Sequence, residues 1–366
     1  MAEIRLEHLT KRFGSLVAVD DLDLTITDGS FVALLGPSGC GKTTTMNMIS
    51  GLERPTSGEI YFDDQPISRV DPGRRNVGFV FQNYAIFTHM RVYDNLAFGL
   101  RVRKPKPSSE ELDREVRRVA EIVGLTAALD RNAGRLSVND MQKVALGRSM
   151  IVNPAIFLLD EPFSNLDAAF RAYMRAELKR IQDEVGQTMV YVTHDQVEAM
   201  SMADHIAVMN LGVLQQYGTP AEIYDSPANR FVAGFVGTAN VLHGHVVDGH
   251  VQFGAHRVAG AAHLEEGTGA RAFVRPNDVR LTAHENGNGV RATVERIVTL
   301  GWISRIILRL PDDQVLTAEL PNDEIGDLGL GSAVFVDLRR AKAFSEPASE
   351  SDADEPSSEP VEALTE

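Results

Sequence analysis

The stretch Gly36–Thr44, GPSGCGKTT, constrains this chain more than any other. It follows a short apolar run, SFVALLG (30–36), and opens a helix-forming run, KTTTMNMISGL (42–52). The order of strand, glycine-rich loop and helix fits the phosphate-binding pattern G-x-x-x-x-G-K-[ST]. Gly36, Gly39 and Gly41 permit unusual backbone angles, so that successive N–H groups can surround a phosphate, with the small residues Ser38 and Cys40 between them. The helix N-terminus adds a favourable dipole. Lys42 can reach the β and γ phosphates of a bound triphosphate, and Thr43, followed by Thr44, can ligate Mg²⁺. Cys40 serves here as a small loop residue.

A second stretch points to the same chemistry. AIFLLDEP (155–162) is an apolar run that ends in two carboxylates. Asp160 is placed to join the Mg²⁺ shell and Glu161 to polarise an attacking water. Alone the pattern is moderately specific, because buried strands often end in an acid at a turn. Behind an upstream phosphate loop it reads as part of an ATP site.

Strand-like and helix-like runs alternate over residues 1–237. GEIYFD, NVGFVFQ, QTMVYVTHD and HIAVMN read as strands. SSEELDREVRRVAEIVGL (108–125) is an amphipathic helix with Leu112, Val116, Val119 and Val123 on one face, and AAFRAYMRAELKRIQDEV is a long helix ended by Gly186. Residues 87–152 are helical and interrupt the strand series as a subdomain. The expected fold is a mostly parallel sheet covered by helices. From about 238 to 345 short runs broken by Gly, Asp and Asn indicate a β-rich second domain.

Composition narrows the function. The net charge is −15, and eight acids with no Lys or Arg lie in residues 346–366, a Ser/Glu/Pro/Asp-rich stretch expected to be disordered. The remainder is mildly acidic, which argues against nucleic acid as a partner. No run of about 18 apolar residues indicates a membrane span. The charged start MAEIRLEHLTKRF does not read as a signal peptide. A single cysteine excludes an internal disulfide and fits a reducing compartment.

These motifs together resemble the ATP-binding-cassette (ABC) transporter ATPase subunits, and more closely those of maltose-type importers, over all but the acidic tail. The resemblance implies an α/β P-loop NTPase cassette, with a RecA-like core and a helical subdomain, followed by an OB-like regulatory (TOBE) domain. It implies that Phe13, in KRFG, stacks on adenine, and that Gln82 meets Mg²⁺ and the attacking water and senses the membrane subunit. SNLD (164–167), with Asp167, then forms a loop that crosses a dimer, and His194, in YVTHDQ, contacts the γ-phosphate. GTPAEIYDSPANRFVAGFVG (218–237) and RPNDVRL (275–281) resemble the lead-in and the RPE element of the regulatory domain, with Asn277 at the usual acid. Two such subunits would pack head to tail, each ATP held by one subunit's P-loop and the other's LSGGQ helix start, where Ser137 belongs. The implied partners are two membrane-spanning permease subunits, a second ATPase subunit and, indirectly, an extracytoplasmic solute-binding protein. The implied location is the cytoplasmic face of the membrane.

One motif departs from the family. LSGGQRQRVA stands here as LSVNDMQKVA (136–145), with Val138, Asn139 and Asp140 at the Gly-Gly-Gln positions. A β-branched side chain obstructs close approach of an anion, whereas Asn tolerates left-handed angles. Asp140 places a like charge near triphosphate, although an acid also favours a helix N-terminus. The asymmetry of an intact P-loop and an eroded signature suits a heterodimer with one impaired site; a homodimer that tolerates the change is the alternative. A soluble ABC protein acting on DNA or translation, and a mainly regulatory half that hydrolyses little, are the competing classes. The general resemblance favours a sugar or polyol as solute, while FVGTANVL (235–242) looks closer to polyamine or inorganic-ion branches.

Overall fold

The structure, a computed structural model, describes residues 2–81, 84–164, 166–254, 256–282 and 289–346. Gln82 and the tail beyond 346 lie outside the described residues. The chain divides into two compact units, broken between Ala221 and Glu222.

The first unit begins with a hairpin that the apolar pattern did not announce. Strands β1 (Ile4–Phe13) and β2 (Leu16–Ile26) pair antiparallel, and β4 (Ser57–Phe62) and β5 (Gln65–Pro66) extend them into the sheet β2-β1-β4-β5. Register shifts between Leu6 and Leu9 and between Leu9 and Lys11, with His8 at φ 49°, break the alternation that would have marked β1 as a strand.

The second sheet carries the chemistry. Strands β3 (Phe31–Leu35), β6 (Val77–Val80), β7 (Ile156–Asp160), β8 (Thr188–Thr193), β9 (His205–Asn210) and β10 (Val213–Gly218) stand in the order β10-β9-β3-β8-β7-β6. All pairings are parallel except β10 with β9. β3 and β8 are buried along their whole length, as expected of central parallel strands covered on both faces. Because β3, β8 and β7 are neighbours with parallel register, the loops after Leu35, Thr193 and Asp160 leave the same edge of the sheet side by side. That edge is where open α/β sheets hold their ligands.

Helix α1 (Lys42–Ser50) follows β3 and buries Met46, Met48 and Ile49. The buried Arg75 guanidinium donates to Met48 O and Ile49 O at 2.7 and 2.9 Å, so a side chain satisfies the carbonyls at the helix end. Three helices, α2 (Val92–Val102), α3 (Ser109–Ile122) and α4 (Val138–Met150), fill the segment expected to be helical. On α3, Val116 and Val119 are fully buried and Leu112 half-buried, and Val123 at its C-cap is fully buried. Ser108 and Glu111 close a reciprocal capping box at its start. Helix α5 (Ala168–Val185) ends at Gly186, which is left-handed, and α6 (Gln196–Met202) follows β8.

The second unit opens with the short helices α7 (Pro220–Asp225), which straddles the break, and α8 (Arg230–Phe235). Ten strands, β11 (Asn240–Val247), β12 (His250–Phe253), β13 (His256–Ala259), β14 (Gly269–Val274), β15 (Val279–Thr282), β16 (Val290–Thr299), β17 (Ile303–Arg309), β18 (Val315–Pro321), β19 (Ala333–Leu338) and β20 (Lys342–Ser345), form two antiparallel five-stranded sheets. They enclose one core that includes Leu242, Val274, Ile306, Leu316 and Val336. Residues 222–237 group with this unit rather than with the cassette, where the sequence placed them. The reason is Arg275, whose buried guanidinium donates to Tyr224 O, Ala233 O and Thr238 O and stacks 4.2 Å from the Tyr224 ring.

Candidate functional site

Each side chain at the sheet's edge is set by the strand that precedes it. The loop after β3 turns back on itself at glycines that no other residue could replace without a shift. A Cβ on Gly36 would lie 2.2 Å from Met209 O, and one on Gly41, at φ 103°, would lie 2.4 Å from Ala18 O. The loop is thus pressed between β9 and β2. Ser38 and Gly39 are exposed at its crest, Cys40 and Lys42 are buried beneath it, Thr43 is exposed and Thr44 half-buried. Lys42 Nζ donates to Gly36 O and Pro37 O, both at 2.7 Å, and lies 3.7 Å from Cys40 Sγ. Burial pushes the Cys40 thiol up, against the opposing pull of Lys42, so it is not a ready nucleophile.

Asp160 ends β7 and accepts a 3.1 Å hydrogen bond from Thr43 Oγ1. Burial raises its pKa, with Glu161 adding to the shift; the Thr43 hydrogen bond and Lys42 oppose it. The next residue, Glu161, sits at φ 43°, an uncommon angle for a residue with a side chain. Its N–H donates to Val192 O at 3.1 Å, which holds the strained turn against β8. The turn aims the carboxylate at His194: Glu161 Oε1 and His194 Nδ1 are 3.2 Å apart. Thus Lys42, Thr43, Asp160, Glu161 and His194 converge in one place.

The other expected residues lie around this group. Phe13, 45% exposed at the tip of β1, has Lys11 Nζ 4.7 Å from its ring centroid. Its hairpin touches the phosphate loop through Ala18. Asp167 is the N-cap of α5, accepting from Phe170 N at 2.9 Å. Ser137 is the N-cap of α4, its hydroxyl accepting from Asp140 N at 3.1 Å. No contact joins Ser137 to the convergent group among the described residues. Val138 is half exposed at the helix start, and Asp140 stands in its first turn.

Several residues that hold the site in shape escaped the motif reading. Arg171 on α5 donates to Leu166 O at 3.1 Å and to Asp195 Oδ2 at 3.1 Å, and its Nε lies 3.8 Å from Glu198 Oε1. Asp195, beside His194, also caps α6 through Val197 N and Glu198 N. Glu198 is buried and accepts from Tyr191 Oη and Thr193 Oγ1, both at 2.6 Å. Burial, then the Glu198 charge, push the Tyr191 hydroxyl well above its ordinary pKa, so it remains a donor. This network ties the turn bearing His194 to the loop before α5. Gln142, by contrast, is one of the signature residues kept in the motif; buried on α4, it donates to Pro162 O at 2.9 Å and so joins α4 to the turn after Glu161. Spacing could have flagged Glu198, four residues after His194 on the next helix; nothing local in the sequence distinguishes Arg171.

A loop of backbone N–H groups at a helix start, a buried lysine, a hydroxyl beside a carboxylate, and a carboxylate beside an imidazole make a site for a polyphosphate. Comparison with known proteins agrees. Residues 19–164 match the ABC transporter family, and residues 272–344 match the TOBE domain. The sulfate/thiosulfate import ATP-binding protein of Chromobacterium violaceum is 43% identical over 349 residues, covering 93% of this chain and 97% of that protein. The trehalose/maltose import ATP-binding protein of Thermococcus litoralis is 48% identical over 336 residues, covering 85% and 89%. The spermidine/putrescine import ATP-binding protein of Rubrobacter xylanophilus is 45% identical, covering 91% and 90%. A dimeric ATP-binding cassette solved in a post-hydrolysis state with ADP and phosphate superposes with a TM-score of 0.53 at 29% identity, covering 59% of this chain and 98% of that one. Matched across nearly their whole length by such relatives, the chain belongs to the ATP-binding subunits of ABC importers, a cassette followed by a TOBE domain, and it is an ATPase.

Proposed function

We propose that this chain hydrolyses Mg²⁺-ATP as one half of a head-to-tail pair that drives two permease subunits supplied by a solute-binding protein, at the cytoplasmic face of the membrane. The observation that carries this reading is the convergence of Lys42, Thr43, Asp160, Glu161 and His194 at one edge of the sheet. Thr43 and Asp160 offer adjacent hard oxygens 3.1 Å apart, a donor set suited to Mg²⁺, with Gln82 as a further ligand from the segment after β6. The cation would neutralise charge on the phosphates. Glu161 orients the attacking water and accepts its proton, and His194, held against Glu161 Oε1, donates toward the γ-phosphate. Lys42 exchanges its two carbonyl partners for phosphate oxygens. The loop through Ser38, Gly39, Cys40, Gly41 and Thr44 wraps the phosphates, while Phe13 stacks on adenine. Ser137 faces the ATP of the opposite subunit, and Asp167 shapes the loop that crosses to it.

The altered signature supports pairing as a heterodimer with one impaired site, with a homodimer that tolerates the change as the alternative. Val138 is exposed at the start of α4, where its branched side chain would obstruct an opposing phosphate, and Asp140 adds a like charge in the same turn. Identity favours a sugar or polyol as solute, the trehalose/maltose relative standing at 48% against 43% and 45% for the sulfate/thiosulfate and spermidine/putrescine relatives. The experiment is ATP turnover by the purified chain alone. Low turnover that rises when Val138, Asn139 and Asp140 are replaced by Gly, Gly and Gln supports an impaired site; fast cooperative turnover unchanged by that replacement overturns the heterodimer.

A further inference from the structure

A cavity of about 330 Å³ lies within the β-rich unit, and none of the residues expected at the ATP site lines it. Its rim carries Arg339, Arg340 and Lys342, three cations within four residues of a chain whose net charge is −15. All three are exposed, and none has a side-chain hydrogen bond or ion pair among the described residues. On the neighbouring strand β15, by contrast, Arg280 is tied to Glu324 at 3.1 Å. Asp225 and Asp278 line the same cavity, yet neither comes within ion-pairing distance of the three cations. The fourth cation of the lining, Arg275, is already bound to backbone carbonyls and acts as a wall. Phe273 and Ala233 supply apolar surface.

We propose that this cavity binds a small hydroxylated organic anion, of the class of a sugar phosphate or a hydroxy-carboxylate. The cations would hold the anionic group through charge-assisted hydrogen bonds. Asp225 and Asp278 would accept hydrogen bonds from hydroxyl groups, which a bare inorganic oxyanion lacks. The volume is at the lower end of small-molecule sites, roughly 300–1,000 Å³, which suits a ligand of this size. The same two carboxylates oppose entry of a densely acidic segment such as residues 346–366, so a free ligand fits better than the chain's own tail.

The test is calorimetry on the full chain at low salt with glucose 6-phosphate, citrate and inorganic sulfate as probes. Two variants accompany it: Arg339→Gln/Arg340→Gln/Lys342→Gln, which removes the charge, and Ala259→Trp, which fills the mouth from an exposed position without changing charge. Glucose 6-phosphate or citrate is expected to bind, and to bind about tenfold or more weakly in both variants. Binding of a fluorescent ATP analogue should be unchanged in both, which separates this site from the ATP site, and circular dichroism and thermal unfolding that match the parent show that the β-rich unit is folded in both. Sulfate binding as tightly as the organic anions would overturn the ligand class. Silence of all probes, or undiminished binding in the triple variant, would overturn the site. Binding that emerges only when the eight tail acids are replaced by amides would assign the cavity to the tail instead.

Discussion

The brace on the His194 turn makes the sharpest prediction. Arg171→Met removes the charged hydrogen bond to Asp195 at 3.1 Å, the bond to Leu166 O at 3.1 Å, and the 3.8 Å approach to Glu198. The last is too long for a hydrogen bond and contributes least. Arg171, Asp195 and Glu198 side chains are 28%, 24% and 5% exposed, so the pair with Asp195 is partly screened and the Glu198 carboxylate is not. Glu198 keeps its hydroxyl donors from Tyr191 and Thr193, which limits the cost of losing its cation. The partly screened ion-paired bond and the guanidinium–carbonyl bond together give about 2–3 kcal/mol of lost stability. The functional effect follows from position: Asp195 adjoins His194, so the loosened turn should lower ATP turnover about tenfold. Nucleotide affinity, set by the phosphate loop and Lys42, should be nearly unchanged. Arg171→Lys keeps the charge but replaces the planar fork that meets Asp195 and Leu166 O with a single nitrogen, and should fall between. Denaturant unfolding, single-turnover hydrolysis in the assembled transporter and equilibrium binding of an ATP analogue measure the three quantities. A Met variant that unfolds within about 0.5 kcal/mol of the parent and hydrolyses at the parental rate would refute the brace.

Further outcomes follow from other parts of the molecule. Glu161→Gln should retain ATP binding while turnover falls by about a hundredfold or more, measured as ATP trapped in a stable dimer; loss of binding would place Glu161 in the wrong role. Ser108→Ala removes one half of the capping box on α3 and should cost about 1 kcal/mol in unfolding experiments. Glu59 is pushed up by burial, but hydrogen bonds from Ser68 and the Ile60 N–H outweigh this and hold its pKa below the usual carboxylate value. A depressed folded pKa means stability that is present above the unfolded pKa and lost as pH falls through the folded one. Glu59→Ala should therefore be less stable than the parent by about 1 kcal/mol at neutral pH, and the difference should shrink on acidification below the usual carboxylate range.

The phosphate-loop and carboxylate part of the candidate site was legible because its pattern is local. Gly36, Gly41 and Lys42 lie within seven residues, and the strand ending in Asp160 and Glu161 needs only hydrophobic continuity to be seen. The central strands were legible for the same reason: full burial leaves an unbroken apolar run. The N-terminal hairpin was not, because bulges displace the alternation of β1. Nor was the brace. Arg171, Asp195 and Glu198 meet only after α5 and β8 fold back on each other, and an arginine on an amphipathic helix otherwise reads as a solvated face. The helices of residues 222–237 looked like the cassette's last elements because nothing in their own composition points to Arg275, about forty residues on.

Helix α4 shows what the altered signature leaves intact. Its first turn holds Val138, Asn139 and Asp140, and there the capping by Ser137 survives. Beyond that turn the helix is tied on the catalytic side through Gln142 to Pro162 O, to β6 through Ser149 Oγ donating 2.8 Å to Phe79 O, and to the segment after Gln82 through Arg148, which donates to Ala85 O and lies 4.4 Å from the Phe87 ring. These contacts connect α4 to the carboxylate turn of its own subunit and to the segment expected to meet the permease. None of them involves the three altered positions. On the proposed reading, the change weakens what α4 would present to an opposing nucleotide while leaving these connections within its own subunit in place. On that reading, such a subunit would follow and transmit closure of a pair even where the ATP it faces is poorly held. Breaking Gln142 or Arg148 should uncouple transport from hydrolysis in the assembled importer, whereas restoring Gly-Gly-Gln should raise hydrolysis and leave the ratio of solute moved to ATP consumed unchanged. A ratio that shifts on restoring the signature would show that its first turn carries mechanical as well as chemical information.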